Sequence, residues 1–470
     1  MVFSSFVFLL IFLPLCLGCS FAARSTRAKN AVLCAFSLVF YAWGEPVYLL
    51  LMLASIGVNW LIGLAMERFP ERKKALLAAA VLLNIGAIGY FKYTDFLIGT
   101  ANGLFGAHIA ARGIALPIGI SFYTFQILSY VIDVYRGRCP AQRSLLRLAT
   151  YISLFPQLVA GPIVRYEEVE RELDSRTVTR EDFTRGLTRL MTGLGKKVLI
   201  ANQMALLADA VFDAPELPGC GALWLGALAY SLQIYFDFSG YSDMAIGMGR
   251  MFGFHFSENF RYPYAARSVT GFWRRWHISL SGWFRDYVYI PLGGSRVSLL
   301  RHMLNLLAVW TLTGLWHGAS WNFVLWGLYY GILLILEKYV IYPGGGKSDG
   351  RRGLAGAACR VLTLLAVLFG WVLFRVENPG RLGAVLTGMV RFGTGGPAAF
   401  LAEHGALLRP AAMILPAALL SLPLLPALDR RFGGRSWYGT AKVLAAGVLW
   451  LLSLAALLGD TYNPFIYFRF

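Results

Sequence analysis

WRRWHISLSGWFRDYVYIPLGG (residues 273–294) and TLTGLWHGASW (residues 311–321) are separated by a single apolar segment of helical length. Two histidines, His277 and His317, therefore flank an arginine-rich loop and one helix. An ionisable side chain in an apolar segment is costly unless it is paired, hydrated in a cavity or used in chemistry. The two histidines are thus the candidate centre of function, provided the surrounding chain lies in a membrane.

The composition answers that question. The 470 residues are 57% hydrophobic and 14% charged, with a mean hydropathy of +0.58, whereas soluble domains carry roughly 25% charged residues. No polar stretch is long enough to hold a soluble domain, so one all-α polytopic membrane domain over residues 1–470 is expected. The formal charge of +18 sits in short Lys/Arg blocks between apolar runs, the pattern of cytoplasmic loops. Contact with anionic membrane lipids follows from it. Nucleic-acid binding does not, because no DNA- or RNA-binding motif accompanies the charge. Six cysteines lie scattered in or beside apolar segments and read as small buried hydrophobes. The CxxC of Cys16 and Cys19 lacks the second ligand pair a metal needs, so no metal and no bound cofactor are expected.

Residues 1–21 run uncharged as far as Arg24 and lack the basic start of a cleaved leader, so they read as a retained first helix with its N-terminus outside the cell. Ala31–Trp43 and Val47–Met66 follow as an outward hairpin between the basic blocks at Arg24–Lys29 and Arg68–Lys74. Ala75–Leu97 and Ile114–Val134 form a second pair. Tyr151–Val164, with Pro156 and the Gly161-Pro162 break, reads as a re-entrant piece. Phe183–Asp209 places Arg185, Arg189, Lys196 and Lys197 at helical spacing among apolar residues, the pattern either of an interfacial helix or of a solvated amphipathic helix packed on the domain. Trp321–Leu336, Val361–Phe374, Ala411–Leu425 and Val443–Leu458 read as further spans, and Gly344–Arg352 and Gly393–Pro397 as loops. The expected count is about eleven spanning helices. The matched halves of many transporters are absent, which weighs against a lipid-linked sugar transporter, the alternative from another class.

Arg261, Arg267, Arg274, Arg275, Arg285, Arg296 and Arg301 share the central stretch with one acid, Asp286, and with Trp273, Trp276, Trp283, Tyr287 and Tyr289. Such a set is either an interfacial anchor or a donor site, with phosphates met by forked guanidiniums of Arg274, Arg275 and Arg285 and a ring stacked on Trp276. Pro291-Leu292-Gly293-Gly294 lets the backbone turn close to such a ligand. A helix of fifteen residues from His302 to His317 places His317 roughly 22 Å from the basic face. His277 then belongs to the donor face and His317 lies further along a path, either as a structural hydrogen-bonder or as a general base, whose competent form is the neutral imidazole. Trp316, Trp321 and Asn322 give its surroundings polar handles. Asp237 and Asp243, in YFDFSGYSDMAIGMGRMFGF (235–254), either pair with arginines such as Arg250 or line a polar tunnel.

Three segments, DFSGYSDMAIG (237–247), ENFRYPYAARSVTGFWRRWHISLSGWFRDYVYIPLGG (258–294) and GLWHGASWNFVLWGLYYG (314–331), resemble the membrane-bound O-acyltransferase (MBOAT) family. Within it they are similar to the branch of bacterial alginate O-acetyltransferases and their relatives acting on peptidoglycan and teichoic acid. The resemblance implies a ring of transmembrane helices around a tunnel in the bacterial inner membrane, lined here by Asp237, Asp243, Asn259, Trp316 and Asn322. It implies that His317 and His277 are the family's two histidines, and that the acyl donor is acetyl-CoA or an acyl-carrier thioester arriving from the cytoplasm. The C-terminal FIYFRF (465–470) is similar to the branch's acyl-relay motif, which implies that Tyr467 carries the acyl group to an extracytoplasmic esterase-like (SGNH-type) acetyltransferase serving a polysaccharide acceptor. Without the resemblance, that tail reads equally as an aromatic membrane anchor.

Overall fold

The computed structural model describes residues 1–159, 161–342, 353–393 and 395–459. They form helices joined by turns, and the described residues contain no strand. The chain divides into two compact units, Met1–Leu190 with Tyr241–Ser257, and Met191–Gly240 with Glu258–Phe470.

The first unit contains α1 (Val7–Ala22), α2 (Thr26–Ala42), α3 (Tyr48–Arg68), α4 (Pro70–Phe105), α5 (Ile120–Arg136), α6 (Leu145–Ser153), α7 (Phe155–Leu158) and α8 (Tyr166–Asp174). Ser25 starts α2 by accepting the Ala28 amide on its hydroxyl, so the helix begins directly after the basic block. The core is aromatic: Phe3, Phe8, Phe40 and Phe155 are fully or almost fully buried, with the Phe155 ring 5.7 Å from Phe40 and 5.9 Å from Phe8. Helices α3 and α4 share a reciprocal amide pair in which Asn84 Nδ2 donates to Asn59 Oδ1 at 2.8 Å and Asn59 Nδ2 returns the bond at 3.3 Å. Polar pairs of this kind fix which faces meet where lipid supplies no hydrophobic discrimination. Arg176 is buried and closes the unit, donating to the carbonyls of Phe252 and Glu172 and to Asn30 Oδ1.

α9 (Arg180–Gly195) and α11 (Cys220–Met251) each give residues to both units; α10 (Asn202–Phe212) lies between them in sequence. The second unit continues with α12 (Val269–Trp273), α13 (Ile278–Phe284), α14 (Leu299–His317), α15 (Trp321–Ile341), α16 (Gly353–Arg375), α17 (Pro379–Val390), α18 (Pro397–Glu403), α19 (Gly405–Leu420), α20 (Leu424–Phe432) and α21 (Ser436–Gly459).

Among the described residues, five helices are long and apolar enough to cross a membrane: α3, α4, α15, α16 and α21. A sixth span exists if α18 and α19, bent by 115°, count as one. The protein is thus a multi-pass, all-helical membrane protein, with fewer long apolar helices than the eleven expected. Two segments differ from the reading made from sequence. Ala411–Leu425 is not one span: Pro416 and Pro423 punctuate it, and α19 stops at Leu420. Phe183–Asp209 is not an interfacial helix throughout, because a π-turn at Lys196–Ala201 leads into α10, which is buried at Met204, Ala205, Leu207 and Ala208. The segments α6 and α7 are both too short to span. Gly344–Arg352 and the tail bearing Tyr467 lie outside the described residues.

Candidate active site

His317 is the last residue of α14, and Gly318-Ala319-Ser320 turns the chain directly into α15. The two helices pack backbone against backbone through glycine. A Cβ on Gly314 would meet the Phe323 carbonyl oxygen at 2.1 Å, and one on Gly327 would meet that of Trp310 at 2.3 Å. Asn322, buried at the start of α15, donates to the Leu373 and Phe374 carbonyls at 3.3 and 3.2 Å and accepts from Ser320. Those are carbonyls of the last turn of α16, which need an outside donor. The bond brings Phe374 to the histidine, and the His317 ring sits 5.2 Å from Phe374, 5.2 Å from Trp326 and 5.0 Å from Trp316.

His277 arrives from another direction. It lies between α12 and α13 with φ 43° and ψ 56°, a left-handed conformation that is strained for a residue with a Cβ. Asn259 fixes it: its carbonyl accepts the Ile278 amide at 3.0 Å, and its Oδ1 accepts the Ser279 amide and hydroxyl at 3.2 and 2.9 Å. The Arg261 amide donates to the Arg275 carbonyl at 2.9 Å on the other side. The imidazole is 1% exposed, packs 4.7 Å from Phe238 and 5.7 Å from Trp316, and stands 6.4 Å from His317 between ring centroids. Burial pushes its pKa down to about 3, so the ring is neutral at physiological pH.

This corrects the separation expected from sequence. His277 is not an outpost on the donor face some 22 Å from its partner; both histidines share one aromatic chamber. The turn that folds His277 inward depends on Asn259, eighteen positions away, which helical spacing does not report.

The remaining candidates differ in burial and in partners. Trp276 is 2% exposed and packs with Phe272 at 5.6 Å and Trp371 at 4.7 Å, so its indole is core packing and not an exposed platform. Arg274 and Arg285 are exposed and Arg275 is half-buried. Arg285 forks onto Asp286 at 2.6 and 3.0 Å. Asp237 and Asp243 lie on one unbroken helix, α11. Asp243 accepts Arg189 at 2.8 Å, while Arg250 is 3.3 Å from Asp182. Asp237 forms a buried ion pair with Lys197 at 2.7 Å.

Neither Lys197 in this role nor the network at the start of α14 stands out from the sequence. There the two ring nitrogens of buried His302 bond the Tyr289 hydroxyl at 2.7 Å and the Tyr339 hydroxyl. Asn305 donates to the Leu292 and Gly294 carbonyls and so holds the Pro291–Gly294 turn, whose glycines have φ 102° and 58°. The signals were the uncommon polar residues of an apolar helix, but their partners lie 11 to 37 positions away.

A buried pair of imidazoles, at least one of them neutral, among aromatic rings is equipped to take a proton from a hydroxyl nucleophile and to hold an acyl carbonyl. Comparison with known proteins agrees with that chemistry. The profile of the MBOAT, membrane-bound O-acyltransferase family, matches residues 140–342, which contain both histidines. The probable alginate O-acetylase AlgI of Pseudomonas aeruginosa is 45% identical over 401 residues, covering 84% of this chain and 76% of that protein. That of Pseudomonas putida is 38% identical over the full length of both chains. The peptidoglycan O-acetyltransferase of Helicobacter pylori is 34% identical, covering 83% of this chain and 80% of its own. The chain belongs to the membrane-bound O-acyltransferase family and is an O-acyltransferase.

Proposed function

We propose that the protein moves an acetyl group from a cytoplasmic thioester, acetyl-CoA or an acyl-carrier thioester, across the bacterial inner membrane for O-acetylation of an exopolysaccharide of the alginate type. The observation that carries the reading is the buried pair His277 and His317, 6.4 Å apart in one chamber. Similarity to probable alginate O-acetylases over most of the chain supports the polymer class.

In the proposed step a hydroxyl oxygen attacks the thioester carbonyl and the C–S bond breaks. The hydroxyl proton passes to His317, which as general base returns it to the departing thiolate, so that ester and free thiol result. His277 positions the carbonyl or serves as second base. Arg274, Arg275 and Arg285 meet the donor phosphates. The N-terminus lies outside the cell, and a tunnel lined by Asp237, Asp243, Asn259, Trp316 and Asn322, within a ring of about eleven helices, carries the group through the membrane. Tyr467 receives it and passes it to an extracytoplasmic esterase-like (SGNH-type) partner.

The test uses labelled acetyl-CoA supplied to the cytoplasmic face of vesicles, with alginate and the partner on the other side. His317→Ala, at equal amounts of folded protein, is expected to abolish labelling of the polymer; a wild-type rate would refute the assignment. Mass spectrometry of the C-terminal peptide is expected to find an acetyl adduct on Tyr467, and full activity of Tyr467→Phe would remove the relay. Peptidoglycan is the second acceptor to include, because the Helicobacter pylori relative matches over 83% of this chain. Labelling of peptidoglycan and not of alginate would move the protein to that branch.

A further inference from the structure

Glu337 is a carboxylate near the end of a membrane-length apolar helix, α15, and is 7% exposed. A charge in that setting is retained only where something repays its desolvation. Its carboxylate meets backbone amides of one short element: Oε2 accepts the Val269 amide at 2.7 Å, and the two oxygens share the Thr270 amide at 3.2 and 3.3 Å. Ser268 accepts the next amide, that of Gly271, at 2.9 Å on its hydroxyl. The first three amides of α12 are therefore satisfied from outside the helix, two of them by a full negative charge at the positive end of the peptide dipoles.

That help is needed. A helix of five residues does not sustain itself, since nucleation costs more than one turn returns. α12 delivers Trp273 into the chamber, where its ring lies 5.5 Å from Trp326 and 4.8 Å from Tyr330, and four residues later the chain reaches His277. The segment is fixed at its far end by Asn259 and Arg261, as described above, and at its near end by Glu337. Glu337 also opens the π-turn Glu337–Ile341 that ends α15, a local change of helical register that aims its side chain.

We propose that Glu337 is a positioning residue of the acyl-transfer site: its buried carboxylate holds the start of α12 and thereby sets the place of His277 in the chamber. The inference rests on the reading of His277 and His317 as the transfer centre. Glu337 touches neither histidine; it acts through the backbone that carries one of them.

The test is a double-mutant cycle on the full-length protein in lipid vesicles, with acetyl transfer from acetyl-CoA measured per folded molecule. His277→Ala comes first and is expected to lower kcat. Glu337→Ala is expected to lower kcat by about 10- to 100-fold, as a displacement of roughly 1 Å does, with the donor KM unchanged. Glu337→Gln keeps an acceptor oxygen without the charge and is expected to recover part of that loss; being isosteric, it also carries the test if the alanine variant fails to accumulate. Glu337→Ala in the His277→Ala background is expected to cost nothing further. An activity of Glu337→Ala and Glu337→Gln within twofold of wild type, or losses that multiply fully with that of His277→Ala, would overturn the role. A wild-type rate for His277→Ala itself would instead remove the site reading on which the inference stands.

Discussion

Adding one methyl group at Gly314 separates the geometry of the active-site hairpin from its chemistry. A Cβ there would stand 2.1 Å from the Phe323 carbonyl oxygen and 3.0 Å from its carbon, whereas an ordinary C···O contact is roughly 3.3 Å or longer. The obstacle is backbone, which no rotamer change moves aside, so α14 and α15 must part by about 1 Å. Overpacking of this kind costs about 1–3 kcal/mol. His317 is three residues further along α14, and its neighbours Trp326 and Phe374 are held by α15 and α16. The same shift therefore displaces the imidazole from its chamber, and misplacement by about 1 Å costs on the order of 100-fold in rate. The assay pairs a thermal melt of the purified protein with acetyl transfer per folded molecule. Gly314→Ala is expected to lower both, and Gly327→Ala, facing the Trp310 carbonyl at 2.3 Å, to do the same. Gly57→Ala in α3 is the control: nothing lies within 4 Å of its added methyl, and the better helix former leaves stability within about 1 kcal/mol of wild type. A Gly314→Ala protein that melted with wild type and turned over at its rate would refute the close crossing and the dependence of His317 upon it.

Three further outcomes follow from the same structure. The buried His277 imidazole has its pKa lowered to about 3, so between that value and its ordinary pKa of about 6.5 the unfolded chain binds a proton that the folded chain refuses. Its contribution to stability is fully present above that ordinary pKa and is lost as pH falls through the acid range, and His277→Gln should flatten that slope in melts taken across it; an unchanged profile would contradict the burial. Asn59→Leu should destabilise the first unit by about 1–2 kcal/mol by leaving Asn84 without its reciprocal amide, and Asn59→Leu with Asn84→Leu should cost less than the two single changes added, as a detergent melt would show. Trp326→Ala empties the space beside His317 and should cost about 3–5 kcal/mol, while Trp326→Phe should retain most of the stability and admit longer acyl donors, read by comparing butyryl- with acetyl-CoA.

The sequence alone determined the membrane setting, the helical class, the two histidines and the family, because each rests on composition or on contiguous residues. Trp273 to His277 and Gly314 to Gly318 are short stretches whose chemistry is visible without folding. The end of α14 at His317, with Gly318 directly after it and the next helix opening at Trp321, came from the structure. Spans broken by proline were harder: Ala411–Leu425 is apolar enough to cross, and only the structure shows its helix ending at Leu420. Tertiary structure decided what each polar group in the apolar background is paired with. Lys197 looked like part of an interfacial face until Asp237, forty positions on, was found within 2.7 Å. Glu337, one position beyond the span read at Trp321–Leu336, meets the amides of Val269 and Thr270, some 67 positions back. The two histidines looked like the ends of a path, and Asn259 turns the chain so that they meet. Periodicity reports which face of a helix is apolar; it carries no information on which distant donor meets a buried acceptor. In a membrane every such pair must be made, so the partners are obligatory, yet their identity is settled only when the helices pack.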